Sequence, residues 1–547
     1  MIKKDLTLGT LRHYASIDNP QEYKKFKEEQ IEKHIISSLD GSHNDIAKAL
    51  YADYSEQFVC SSVSNKTWYQ FVNHKWEQIE EGTNLREKIS GKIVDRYYEC
   101  IKKLYDQMRD CGQDKGKEGM IQARIKQVQK MINSLKSSPF KNNVMRECVE
   151  VFYDPRFKEK LDADPYLIAF KNGVYDLKLN IFRSGRPEDF LSKCMPINYV
   201  EYSEDDEKVQ DMYTFLEQVF PDKSIRKYFL DISSDIFVGG NHEKIVVFWT
   251  GEGDNGKSVT QNFFEKMLGL GKLAIKLNTN VITGKKPGSG GTMADLARAG
   301  GGVRLAVLEE PDPEEMINAG IFKHLSGNDS FFARDLFEKG KDTTEITPLF
   351  KLFFICNKLP RIRAADKAVW NRVRVIPFES VFCKGDNPAP ESYEEQLRQK
   401  RFPMDKQFGK KIPTLVEAFA WILLNHRIKI ANEPRIEPKK VREATEIYQR
   451  QNDIYRQFME ETIIEDKNKV MSLIELYNLF KDWYKESLPN HNVPVKNEVE
   501  EYFIKIWGIP EAGKKWKGYR QRTIQDEIDA GDAIILTEDD LVDYNQK

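Results

Sequence analysis

Eight consecutive residues, Gly251, Glu252, Gly253, Asp254, Asn255, Gly256, Lys257 and Ser258, have the types and spacing of the phosphate-binding octet G-x-x-x-x-G-K-[ST]. Its glycines let the backbone curl until its N–H groups face an anion, and a helix starting there adds partial positive charge. Lys257 is suited to reach the β- and γ-phosphates of ATP, and the Ser258 hydroxyl to hold Mg²⁺. Glu309 and Glu310 stand side by side at the end of an apolar run. One such carboxylate can hold the magnesium ion, usually through water, while the other polarises an attacking water. Asn357 closes a further apolar run, where an amide can hydrogen-bond both a γ-phosphate and the lytic water. Arg372 and Arg374 sit among apolar residues, a costly arrangement unless they meet anions.

These groups need elements that bring them together. The run 245–250 is β-branched and aromatic and reads as a buried strand. The segment after the octet places Phe263, Phe264, Met267 and Leu268 at helical spacing. Strand, glycine loop and helix in that order distinguish a working phosphate loop from a turn that binds nothing. Two adjacent glutamates are ordinarily a solvated turn, but a strand at 303–308 ending in them downstream of such a loop favours the chemical reading. A third strand is expected at 349–356. In 366–378, β alternation would put Arg372 and Arg374 on one face. Between the second and third strands, 331–347 reads as two β segments joined by Lys339-Gly340-Lys341, a charged turn usually serving only solubility. The stretch 284–291, GKKPGSGG, lacks a strand before it and a helix start after it, so it reads as a linker, with a short helix at 293–299 following.

The chain of 547 residues is long enough for three or four units. Its net charge of −2 excludes a uniformly basic coat, so any nucleic-acid surface must be a local concentration of Lys and Arg. Seven scattered cysteines without C-x-x-C spacing disfavour a zinc site and suggest reduced thiols. No apolar leader or run of membrane-spanning length is present, so no membrane partner is expected. Residues 1–55 read as a helical connecting arm. An α+β unit follows at 56–205, with a hairpin at 58–79 whose Trp68, Tyr69, Phe71 and Trp76 suit a small core better than a base-stacking platform. Within it, 84–151 is helical and 164–190 returns to hairpins. The glycine loop belongs to a unit at 206–395. The remainder, 396–547, reads as a mostly helical module with a β finish. Its run of Lys514, Lys515, Trp516, Lys517, Tyr519 and Arg520 is better read as a solvated strand face than as a nucleic-acid contact.

Taken in order, GEGDNGKS, AVLEEP, FKHLSGNDSFFARDLFEKGK, FFICNKLP and AVWNRVRVIPF resemble a superfamily 3 helicase. More closely, the arrangement is similar to the C-terminal half of the poxvirus-type primase-helicases of large DNA viruses and some phages. SSVSNKTWYQFVNHKWEQI and AFKNGVYDLKLNIFRSGRPEDF extend it to the domain before the ATPase. The resemblance implies an AAA+-like α/β P-loop core, an α+β domain before it and a small winged-helix-like module after it. It implies an ATP hydrolase and DNA helicase that assembles as a hexameric ring on single-stranded DNA. Lys257 is then its loop lysine, Glu309 (a metal ligand) and Glu310 its acids, and Asn357 its sensor. Arg372, or alternatively Arg374, reaches a neighbour's γ-phosphate, and Lys339 and Lys341 tip a pore hairpin gripping DNA. Lys323, Asp329 and Arg334 match polar positions of the segment leading there. Expected partners are the replication fork, a primase and other replication proteins, at viral or phage replication sites inside a cell. Residues 1–55 carry no cluster of metal-binding aspartates, so the chain reads as a C-terminal fragment or a helicase without its primase. The competing readings are an AAA+ protein remodeller or scaffold, and an initiator or packaging ATPase that does not unwind.

Overall fold

A computed structural model describes residues 15, 18–110, 114–284, 294–309, 315–327, 329–333, 344–363, 366–385, 387–431, 433–488, 493–523 and 525–526. Its centre is a five-stranded parallel sheet. In chain order the strands are Val246–Thr250, Ala274–Leu277, Leu305–Glu309, Lys351–Ile355 and Val373–Pro377. Across the sheet they run fifth, first, fourth, third, second.

Both faces are covered, which is why these strands read as continuous apolar runs. Val247, Trp249, Val307, Phe353 and Ile376 face a core shared with helices Glu207–Val219, Lys223–Ser234, Lys257–Leu268 and Phe408–Lys429. Val246, Phe248, Leu308, Phe354 and Val375 face the other way, onto helix Ala319–Leu325 and Tyr448 of helix Lys439–Asn452. Phe248 and Phe354 stack across adjacent strands with ring centroids 4.4 Å apart. The core is α/β, as expected from the sequence.

Helix Phe408–Lys429 packs on the helix that follows the glycine loop. The boundary expected between 395 and 396 therefore falls inside one continuous core. A helix carrying Leu415, Phe419, Trp421, Ile422 and Leu423 presents apolar surface over too wide an arc for an exposed module. The separate C-terminal core begins at Phe458. It is built from helices Ile454–Thr462, Leu473–Ser487 and Lys496–Trp507 and an antiparallel pair, Ile463–Ser472 with Lys515–Gln521.

Over its described part, the segment 1–55 that reads as a connecting arm packs into a core. Helices Pro20–Ser37 and His43–Tyr54 bury Ile31, Ile35, Ile46 and Leu50 in the same core as Trp68, Leu85, Tyr97 and Leu135. Trp68 and Trp76 are buried, so the hairpin aromatics do pack a core. The meander Leu167–Phe170, Gly173–Asp176, Ile181–Arg183 lends Ile168, Phe170 and Tyr175 to the core around the glycine-loop helix. Among the described residues no helix is long and apolar enough to cross a membrane, and the six described cysteines are free.

Candidate active site

In an open parallel sheet the crevice outside the carboxyl ends of the strands is where ligands bind. The glycine loop lies there. It leaves strand Val246–Thr250 and enters helix Lys257–Leu268 at once, with Gly256 as a left-handed N-cap at φ 85°. A Cβ on Gly251 would lie 2.6 Å from the Phe378 carbonyl oxygen and 2.3 Å from Asn255 Nδ2, so only glycine fits. The outer wall is pinned from 378–384. Phe382 N–H donates to the Asp254 carbonyl at 2.7 Å, and Lys384 pairs with the Asp254 carboxylate at 2.7 Å.

Lys257 is only 5% exposed. Its Nζ donates to the Gly251 carbonyl at 2.5 Å and approaches Asn255 Oδ1 at 3.3 Å, so the ammonium lies folded across the loop. Glu252, Gly253, Asp254 and Ser258 are exposed at the mouth. No heavy atom lies within 4 Å of where a Cβ on Gly253 would stand. The Nδ2 of Asn255 is a buried donor without a hydrogen-bond partner among the described residues. An open cradle of backbone with a buried ammonium, an orphaned amide donor and an exposed hydroxyl at a helix start fits a triphosphate carrying a magnesium ion.

The neighbouring strands end at the same rim. Trp249 and Glu309 are both in register with Ile355. Thr250 Oγ1 donates to the Asn357 carbonyl at 3.2 Å, and Cys356 N–H to the Trp249 carbonyl at 3.1 Å. Glu309 and Asn357 are therefore brought to the loop's edge of the sheet, both exposed. The Glu309 carboxylate is not alone. Lys276 Nζ lies 2.9 Å from it and 3.2 Å from Glu265, on the loop helix. The hydrogen bond to Glu309 holds the Lys276 ammonium above its ordinary range despite partial burial. Sequence reasoning missed both residues. The one available signal was a lone Lys facing solvent in the strand Ala274–Leu277.

A family model described as "D5 N terminal like" matches residues 47–222. "Putative helicase 022R" of Frog virus 3 is 34% identical over 96% of this chain and 62% of its own length. "Putative helicase L207/L206" of Acanthamoeba polyphaga mimivirus is 34% identical over 89% of this chain and 50% of its own. The chain is thus similar in sequence to helicase-named proteins of large DNA viruses. "Putative primase C962R" of African swine fever virus is more distant, at 25% over 91% of this chain and 53% of its own length. The chain thus spans about half to three fifths of the length of these viral relatives. Among solved structures, the C-terminal region of NrS-1 aligns with a TM-score of 0.32 and 12% identity over 66% of this chain and 84% of that one, too remote to bear on the fold.

In this chain the two arginines do not share a face. The last core strand begins at Val373, so Arg372 lies in the preceding turn, outside the alternation that the sequence suggested. Its guanidinium donates to the Lys323 carbonyl and, at 2.9 Å, to Ser326 Oγ, whereas Arg374 pairs with Glu437 at 2.9 Å. The Arg372 carbonyl accepts from Val246 N–H, which puts Arg372 at the amino edge of the sheet. Four residues of strand separate that level from Thr250, roughly 13 Å at about 3.3 Å per residue. Lys323 pairs with Asp366 at 2.9 Å, and Asp329 is exposed. Glu310, Arg334, Lys339 and Lys341 lie outside the described residues. The two short strands beside the last three, Phe331–Ala333 and Thr344–Ile346, pair antiparallel.

The cationic C-terminal run is committed to packing and pairing. Trp516 is buried, and Tyr519 stacks on Trp507 at 4.0 Å. Lys514, Lys517 and Arg520 pair with Glu500, Glu511 and Asp466.

Proposed function

We propose that this chain is the ATP-driven DNA helicase portion of a viral or phage primase-helicase, working as a ring on single-stranded DNA at the replication fork. The observation that carries this reading is the convergence of the glycine loop, Glu309 and Asn357 on one rim of a parallel sheet, in a chain one-third identical to helicase-named viral proteins.

In this reading residues 206–452 form the P-loop, AAA+-like unit. Residues before 206 form the family's preceding domain, and the core from Phe458 is winged-helix-like. The backbone N–H groups of 253–258 and the Lys257 ammonium bind the β- and γ-phosphates, after Lys257 leaves the Gly251 carbonyl. Ser258 and Glu309 would hold a magnesium ion, which would supply charge neutralisation for the phosphates. Glu310 takes the proton of the attacking water and Asn357 orients that water. Arg372 is too far from its own chain's loop to act there, so it serves the ATP of a neighbouring copy. For that it must exchange its bonds to Ser326 and Lys323. Lys339 and Lys341 contact the phosphates of the DNA strand, and a primase and other replication proteins are the remaining partners.

The test is nucleotide turnover by the purified chain against Lys257→Ala and Glu310→Gln. Lys257→Ala should lose binding and turnover, while Glu310→Gln should bind ATP and hydrolyse it slowly. Wild-type turnover in Lys257→Ala would remove the site.

A further inference from the structure

The sheet has a second polar end. Opposite the rim, at the amino edge, a cavity of about 250 Å³ lies between the starts of the first and fourth core strands, helix Lys223–Ser234, the end of helix Phe408–Lys429 and the segment 433–435. Its acids are already engaged. Asp231 lies 2.7 Å from His426 Nε2 and 3.3 Å from Lys227, which also lies 4.0 Å from Glu433, the loosest of these pairs. Asp235 is paired with Arg427 at 3.4 Å and with Arg435, which also meets Glu243 at 2.6 Å. A cation entering the cavity would have to displace one of these partners.

Its donors are not all engaged. Lys351 opens its strand and shares the face of Phe353, toward the cavity. It is 8% exposed, and its ammonium donates to the Val238 carbonyl. Among the described residues no carboxylate pairs with it, and an ammonium carries three donors. Burial pushes its pKa down to about 7, with Arg304, Arg427 and Arg435 adding to the effect and Asp235 opposing it. The Arg435 Nε–H is also buried without a hydrogen-bond partner among the described residues. An unpaired buried ammonium is costly unless something completes its shell.

We propose that this cavity binds a small oxyanion of the phosphate class, with Lys351 and the free Arg435 Nε–H as its cationic donors. The volume is below the roughly 300–1,000 Å³ of sites for drug-sized ligands, so free phosphate fits and a whole nucleotide does not. The site is separate from the glycine loop and does not depend on what that loop does.

The Lys257→Ala variant of this chain, whose loop lysine is gone, should melt at a higher temperature in millimolar phosphate than in chloride of equal ionic strength. Adding Lys351→Met should abolish that rise. A measurement on the unaltered chain guards against misfolding of the double variant. Near pH 8 Lys351 is mostly free amine, and bound phosphate would return it to the ammonium form. Raising its pKa by about two units would slow acetic anhydride labelling of Lys351 roughly tenfold, as read by peptide mass mapping. Labelling of Lys351 unaffected by phosphate, or a phosphate-dependent rise that survives Lys351→Met, would overturn the proposal and leave a cavity that holds only water.

Discussion

Replacing Lys351 by Met should change how the stability of the sheet depends on pH. The side chain is buried at the head of strand Lys351–Ile355, and burial holds its pKa near 7 against 10.5 in an unfolded chain. Between those values the unfolded state binds a proton that the folded state does not, so stability rises with pH through that window. Below about pH 7 both states are charged and the cost of burying the ammonium is felt in full. At about 1.36 kcal/mol per pH unit, the gap from 10.5 to about 7 sets a ceiling on the order of 5 kcal/mol. Relaxation and entry of water into the adjoining cavity will reduce it. Methionine fills a similar volume and carries no charge, so the variant should lack the slope. Urea unfolding of both proteins at intervals from about pH 7 to about pH 10, in phosphate-free buffer, measures the difference directly. The tyrosines that titrate at the upper end are common to both and cancel. The variant should be the more stable protein near neutrality, and its advantage should shrink as pH rises. Parallel curves would refute the reasoning, because they would mean that Lys351 keeps its ordinary proton in the fold.

Gly251→Ala drives a methyl into the Phe378 carbonyl and the Asn255 amide. Overpacking of that kind costs about 1–3 kcal/mol, and nucleotide affinity should fall about tenfold for each 1.4 kcal/mol taken up by the loop; wild-type affinity in a fluorescent-ATP titration would show that the loop is not the site. Lys276→Met removes the cation between Glu309 and Glu265, so the apparent magnesium affinity of turnover should change more than the melting temperature. An unaltered magnesium titration would confine Lys276 to surface pairing. Arg372→Ala mixed with Lys257→Ala should recover activity at interfaces that combine one intact loop with one intact arginine. An arginine acting in trans is typically worth about 10³–10⁵ in rate, and a mixing curve flat at zero would exclude that role.

The parts of the site that were legible in the sequence are those written by local chemistry. The octet sits between a β-branched run and a helical pattern, and the structure forms a strand, loop and helix from them. The apolar runs ending at Glu309 and Asn357 became neighbouring strands of one sheet. What the sequence hid depends on contacts between distant segments. Nothing near Lys276 announces that Glu265 and Glu309 will flank it. Helix Phe408–Lys429 falls in a stretch that reads as mostly helical, but its docking on helix Lys257–Leu268, some 150 positions earlier, is a tertiary fact. Ile31 and Ile35, in a segment that reads as a connecting arm, are likewise taken up by a core built from distant residues. Arg372 was misread for a local reason, because the strand begins one residue later and alternation does not extend into a turn.

The central claim, that ATP hydrolysis at this rim drives movement along DNA, is tested most directly by unwinding of a forked duplex. The measurement compares the wild-type chain with the double variant Lys339→Ala, Lys341→Ala, following basal ATPase in parallel. Phosphate contacts are independent of base sequence and weaken with salt, so the wild type should unwind with a strong salt dependence. The variant should keep its basal ATPase, bind single-stranded DNA less tightly and fail to unwind. A wild-type chain that hydrolyses ATP without stimulation by DNA and separates no strands would contradict the account and favour an ATPase that remodels protein or binds DNA without unwinding it.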